Sequence, residues 1–245
     1  NSRGPSSNQS MSHQQHLCKV AQKTAFSNNE AVLLMERGDY VTASTILRNT
    51  IDILQENHDC MASYSPEDGF LFELEVSADS LCGLSKLLPT TKAAREDASI
   101  GMFDRAFYLN HVDLAHNGSS FGIRQFALIV LVFNLGICMH VRAFVAHSRQ
   151  DEFFGKAVTL YQMACGLFEC TADERMVTLL LLALTNNLSS IHAHFCDMVE
   201  TQRWLDEVRF TYVINAANLK KDEVALFSTN LLANDQLHAR SSPAA

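Results

Sequence analysis

From Leu17 to Asn57 the apolar positions recur at helical spacing in two runs. Ala31, Leu34 and Met35 mark the first, with Ser27 and Glu30 at capping-box spacing before them. Ile46, Leu47, Ile51 and Leu54 mark the second. Gly38-Asp39 separates them, because Gly takes the left-handed conformation that stops a helix. A helical hairpin is the expected unit. Residues 58–120 break the pattern: Pro66, Pro89 and several Ser and Asp predict an irregular insertion. Inside it, Phe103, Phe107 and Leu109 share one side of a two-residue period, which predicts a short strand or extended arm.

Helical spacing returns at Ile123 and runs to about Val145. Asp151 is placed to cap the next helix, whose apolar side carries Ala157, Leu160, Tyr161, Ala164 and Leu167. Thr171 and Glu174 have capping-box spacing ahead of a long helix ending near Met198. A further helix runs from Thr201 to about Asn218. The apolar tail, Ala225 to Leu232, fits a strand or a short helix. Its strand form would meet the arm as a two-stranded ribbon, hiding Phe107 and Phe227; its helical form would cap the last hairpin. Residues 1–15 are Ser, Asn, Gln and His with little to bury and predict disorder; residues 241–245 predict a frayed end. The rest, 16–240, reads as a single domain.

Composition supports helices. Ten Gly and four Pro are few for a chain of 245 residues, and sheet-rich folds consume both in turns. The expected fold class is all-α, with at most one minor two-stranded ribbon. Nineteen basic against 27 acidic residues give a formal charge of −8, and no Lys/Arg run concentrates on one stretch. Nucleic acid and anionic lipid are therefore poor partners. Seven scattered cysteines without C-x-x-C spacing predict a reduced, intracellular protein. The cytoplasm is the expected compartment, with the nucleus left open. The chain opens on Asn1 without an apolar signal-type run or an initiating Met, as a fragment of a longer chain would. The longest apolar stretch, Phe126 to Met139, is shorter than the ~20 residues that span a bilayer.

Three segments repeat one pattern. Asn29/Ala31, Asn134/Gly136 and Asn187/Ser189 place an Asn two residues before a small side chain, and Leu34, Met139 and His192 follow three further on. The second helices show Ala43/Leu47/Thr50, Ala157/Tyr161/Ala164 and Thr201/Leu205/Val208. A small residue on each helix permits close approach, and the larger residue a turn later fills the groove beside it. On Ala31-x-x-Leu34-x-x-x-Gly38-Asp39-Tyr40-x-x-Ala43, Asn134-Leu135-Gly136, Lys156-Ala157-x-x-x-Tyr161-x-x-Ala164 and Asn187-Leu188-Ser189, the chain resembles the tetratricopeptide repeat family. The repeats start 105 and 53 residues apart, wider than the ~34 of that family, as in a degenerate relative with insertions. The resemblance implies stacked helix-turn-helix hairpins forming an α-solenoid. An α-helical bundle with coincidental patterning is the bland alternative.

Catalytic signals are weak. Gly118-Ser119-Ser120-Phe121-Gly122 fits G-x-S-x-G, but that elbow needs a strand-to-helix turn in a parallel sheet. In His192-x-His194-x-Cys196, residues two apart on a helix point about 200° apart, so only His192 and Cys196 share a face. His111, Asp113 and His116 would have to complete a metal site. Cys165 and Cys170 are off register for a redox pair. No phosphate loop or dinucleotide fingerprint occurs, and no cofactor is expected. The resemblance implies a groove lined by the first helix of each hairpin: Asn28, Val32, Met35 and Glu36, then Phe133, Ile137 and His140, then Asn186, Ser190 and His194. None is Lys or Arg, which disfavours a clamp for a peptide carboxylate. The expected function is a non-catalytic module that binds another protein or peptide segment in that groove. The alternatives are a helical hydrolase using the His/Cys cluster or the Ser of that G-x-S-x-G motif, and a passive scaffold segment of a larger assembly.

Overall fold

The computed structural model describes residues 7–56, 70–76, 101–113, 123–168 and 175–241. These are mostly helical, in seven α-helices with two short strands. Helices α1 (Ser7–Glu36) and α2 (Tyr40–Glu56) pack on each other, as do α3 (Ile123–Val145) and α4 (Gln150–Gly166), and α5 (Arg175–His194) and α6 (Met198–Asn215). α2 also packs on α3, and α4 on α5, so the pairs follow one another through the molecule. α7 (Lys221–Ser241) closes the order.

The first and third pairs turn by the same device. Gly38 adopts φ +82°, Asp39 N–H closes on Leu34 O at 2.9 Å, and the Asp39 carboxylate accepts from Thr42 N–H at 3.1 Å. Cys196 adopts φ +57°, Asp197 N–H closes on His192 O at 2.9 Å, and the Asp197 carboxylate accepts from Glu200 N–H at 3.2 Å. A left-handed residue followed by an Asp cap ends one helix and starts the next. The Thr42 hydrogen bonds hold the Asp39 carboxyl below its usual range. The left-handed turn at Cys196 ends α5 at His194, short of Met198, and lets α6 begin at Met198.

Several expectations give way to packing. Ser27 and Glu30 do not start a helix; they lie inside α1, which runs on because Val20, Ala21, Thr24, Ala25 and Asn28 all bury on one face. A local cap signal loses to a continuous buried stripe. α1 begins at Ser7, within the segment expected to be disordered; extending an existing helix costs far less than nucleating one. Asp151 is in the first turn of α4 rather than at its cap, which is Arg149 and makes no side-chain cap bond. Arg149 and Lys156 instead converge on Glu152 and hold its carboxyl down to about 2. The Thr171/Glu174 box lies outside the described residues.

The insertion contains two strands, β1 (Phe70–Val76) and β2 (Phe107–Asp113), antiparallel with Phe70 opposite Asp113 and Val76 opposite Phe107. The tail is helix α7, so the ribbon forms inside the insertion and not between arm and tail. Arm and tail nevertheless meet: Phe103 stacks on Phe227 at 6.1 Å, and both Phe107 and Phe227 are fully buried. β1 reads Phe-Leu-Phe-Glu-Leu-Glu-Val, with apolar residues alternating with Glu73 and Glu75. That alternation is a strand signal, hidden in a stretch whose Pro and Ser content suggests loop.

The core centres on α3 and α5. From Gln125 to Val145 α3 is long and apolar enough to cross a membrane, with mean hydropathy 2.1, longer than the Phe126–Met139 run suggests. Yet 83% of that window is buried inside the molecule, and this accounts for its composition. Gly136 is required there: a Cβ would come within 2.5 Å of the fully buried Tyr161 ring on α4. The small-residue positions Ala31, Ala43, Ala157, Ser189 and Thr201 are all buried.

Candidate functional site

Residues 101–109 run through the molecule as an extended strap, and asparagines from four helices hold its main chain. Asn29 on α1 accepts from Leu109 N–H (2.8 Å) and donates to Leu109 O (2.9 Å). Asn134 on α3 accepts from Phe107 N–H (3.0 Å) and donates to Phe107 O (2.8 Å). Asn187 on α5 accepts from Phe103 N–H (2.7 Å) and donates to Phe103 O (3.0 Å). Asn230 on α7 accepts from Gly101 N–H (3.0 Å) and donates to Gly101 O (2.8 Å). A carboxamide has the donor and acceptor of a peptide group, so each Asn imitates one residue of a neighbouring antiparallel strand. The gripped residues are all odd-numbered, because in an extended chain alternate residues turn both main-chain groups to the same edge. The opposite edge of β2 is the one that pairs with β1.

The contacts form two units of the same design. Phe107 O accepts from Asn134 and also from Asn28 (2.9 Å), and Asn134 donates to Asn28 Oδ1 (2.9 Å). Gly101 O accepts from Asn230 and also from Asn186 (2.9 Å), and Asn230 donates to Asn186 Oδ1 (2.7 Å). Asn28 and Asn186 each directly precede a gripping Asn, on the helix one pair earlier than the gripping Asn they support. The equivalent position on α3 is Phe133, and there the gripped residues jump from Phe103 to Phe107. Phe133 fills that gap, 6.3 Å from the Phe103 ring and 5.2 Å from the Phe107 ring, while Phe103 and Phe107 stack at 5.9 Å.

Four of the expected groove residues therefore touch one segment: Asn28, Phe133 and Asn186 as above, and Glu36, whose carboxylate accepts from the Tyr108 hydroxyl at 2.8 Å. The segment is the chain's own. Val32, Met35 and Ile137 are core residues, and Ser190 is half-buried. His140 and His194 lie apart from the strap, against Phe154, with ring centroids at 5.5 and 4.5 Å from it. His140 reaches the site indirectly: its Nδ1 is 3.4 Å from the Tyr161 hydroxyl, which accepts from Asn187 at 3.2 Å. Burial, with His194 adding to it, pushes the His140 imidazole down to about 3, so it is neutral near pH 7. Burial raises the Tyr161 phenol and the Cys138 thiol, and lifts the Cys165 thiol to about 12.

The grip of Asn29, Asn134 and Asn187 is not visible in their spacing, which reads as helix packing. Asn230 has a signal that the repeat pattern leaves aside: Asn230-Leu231 repeats the dipeptides Asn134-Leu135 and Asn187-Leu188, and all three Leu are buried.

Among the described residues no group of three or more His, Cys, Asp or Glu could hold a metal ion. His192 faces Asp197 at 3.4 Å, while His194 and Cys196 are exposed. Gly118–Gly122, His116, Cys170 and the side chains of His111 and Asp113 lie outside the described residues. A separate hollow of about 480 Å³ opens between α2, α3 and α4, lined by Arg48, Asp52, Val132, Leu135, Leu160 and Leu167. No family model, curated protein or solved structure matches the chain.

Proposed function

We propose that this chain is a non-catalytic protein-interaction module in which stacked helical hairpins line a groove for an extended polypeptide. The observation that carries the reading is the set of paired main-chain hydrogen bonds from Asn29, Asn134, Asn187 and Asn230. A face meant only to pack would use apolar side chains, since buried amides are stabilising only when matched in full. Here they are matched, and what they match is an extended main chain. On this reading α7 serves as the first helix of a further repeat unit, and the arrangement is a degenerate solenoid of tetratricopeptide type. An intracellular, cytoplasmic setting accords with the free thiols of Cys138, Cys165 and Cys196.

The test is capture of protein partners from the native source on the purified chain, in parallel with its Asn134→Ala and Asn187→Ala variants. The reading expects a defined partner that the native chain retains and the variants lose or hold more weakly. Equal recovery on all three chains would place the interface elsewhere and count against it.

A further inference from the structure

The strap is held by contacts that do not depend on its being part of the same chain. We infer that residues 101–109 are a replaceable internal ligand, and that the groove takes a partner's extended segment of the same chemistry in their place. That chemistry is a small residue, then Phe two positions on, Phe four further, and an aliphatic residue two beyond that. This inference rests on the reading of the groove as a polypeptide holder and names what it holds.

The geometry sets each part of the pattern. The Asn contacts specify an extended main chain with both polar groups of every second residue turned to the helices, and they are blind to side chains. Taken alone they would permit slippage by two residues without loss of a hydrogen bond. The aromatic contacts prevent it. Phe103 stacks on both Phe107 and Phe227, and Phe133 meets the rings of Phe103 and Phe107 at an angle, so a two-residue slip would move both aromatic side chains out of place. The first position is small for a steric reason: a Cβ at Gly101 would stand 3.2 Å from Asn230 Oδ1, tighter than an ordinary contact. Leu109 is fully buried at the other end. Tyr108, half-buried, reaches Glu36 at the exposed rim and adds a contact a ligand can lack.

An internal ligand competes at high effective concentration, so the native chain should resist a free peptide. Weakening the strap's own aromatic grip should open the groove while leaving its asparagines intact. The experiment uses a fluorescent peptide, Gly-Met-Phe-Asp-Arg-Ala-Phe-Tyr-Leu, titrated into the full chain and into its Phe103→Ala variant, with anisotropy as the readout. Phe103→Leu serves as a milder second variant, and circular dichroism and thermal melting identify the folded chains. The expected result is saturable binding at least tenfold tighter to the strap-weakened variant than to the native chain. Binding should fall at least tenfold when Asn134→Ala is added to the variant, or when both Phe of the peptide become Ala. Failure of the peptide to bind any folded chain would overturn the inference and make the strap a permanent part of the fold. Binding indifferent to Asn134 and to the peptide's Phe residues would overturn it as well. Neither result touches the partner-capture experiment, so the two readings fail separately. Dimers of the native chain that dissociate on adding the peptide would assign the groove to a second copy's strap and overturn the foreign partner.

Discussion

The two ends of the strap are gripped by the same chemistry in different surroundings. At the Leu109 end the asparagines come from α1 and α3, helices on either side of α2 in the packed body. The shared bonds among Asn28, Asn134 and Phe107 are buried. At the Gly101 end one partner is α5, in the core, but the other is α7, the last of the described helices. Asn230 bonds to Gly101 there are only part-buried. The α7 side chains Phe227 and Asn230 are directed to Phe103, Gly101 and Asn186. The unit of Asn28, Asn134 and Phe107 is thus enclosed by the body, and at the Gly101 unit strap and tail hold each other. Identical hydrogen bonds should differ in worth according to what excludes water from them.

The sharpest test compares the two units directly. Asn134→Ala leaves the buried main-chain N–H of Phe107 without its acceptor and removes Asn28's donor, so it should destabilise by about 2–5 kcal/mol. Chemical denaturation of the variant measures this. Asn230→Ala should cost less, about 1–2 kcal/mol, because water can reach the Gly101 groups. Its larger signature should be local: faster proteolysis or amide exchange at residues 101–106, with the Leu109 end still protected. Equal losses from both substitutions would break the comparison.

Between those values stands a test of the helix pair behind the first unit. Gly136→Ala puts a methyl group against the Tyr161 ring and should cost about 1–3 kcal/mol. Because Tyr161 also bonds Asn187, the variant should loosen the grip of Asn187 on Phe103 too, seen as exchange at Phe103 N–H.

The link through His140 adds a pH dependence. Its folded value, about 3, lies below the ordinary 6.5 of an unfolded chain. The unfolded state therefore binds the proton first, and the contribution is fully present above pH 6.5. It is lost as pH falls toward 3, by about 1 kcal/mol per pH unit if the shift is fully expressed. His140→Phe should flatten the decline of melting temperature across that window. The smallest effect concerns the matched turns. Cys196→Gly gives the third pair the left-handed glycine that Gly38 supplies to the first, and should stabilise by up to about 1 kcal/mol.

What could be read in advance follows the range of the forces involved. The helices around Ile129, Leu180 and Leu205 announce themselves because their period of burial is local. Asn134 and Asn187 stood out as members of a recurring sequence pattern. Their task did not, since Asn134 acts on Phe107 and Asn187 on Phe103, and spacing along a helix carries no word of a segment that distant. Phe133 and Asn186 were expected at a groove from their place in the sequence pattern, whereas their contacts with residues 101–107 were not. Asn230 fell in a tail whose eight apolar-rich residues fit strand and helix alike; the choice of helix comes from the contacts of Phe227 and Asn230 with the strap.

The strap also imposes an order of assembly. Three of its four asparagines, Asn134, Asn187 and Asn230, lie after it in the chain, the last of them 129 residues beyond Gly101. On a ribosome the strap emerges when, of the described elements, only α1, α2 and β1 precede it, so Phe103 and Phe107 lack Asn187 and Asn134 until later helices arrive. Contacts of such separation slow folding, and exposed aromatic residues in a nascent chain attract chaperones and other chains. The segment whose Phe103 and Phe107 the finished protein buries is, during synthesis, a vulnerable stretch.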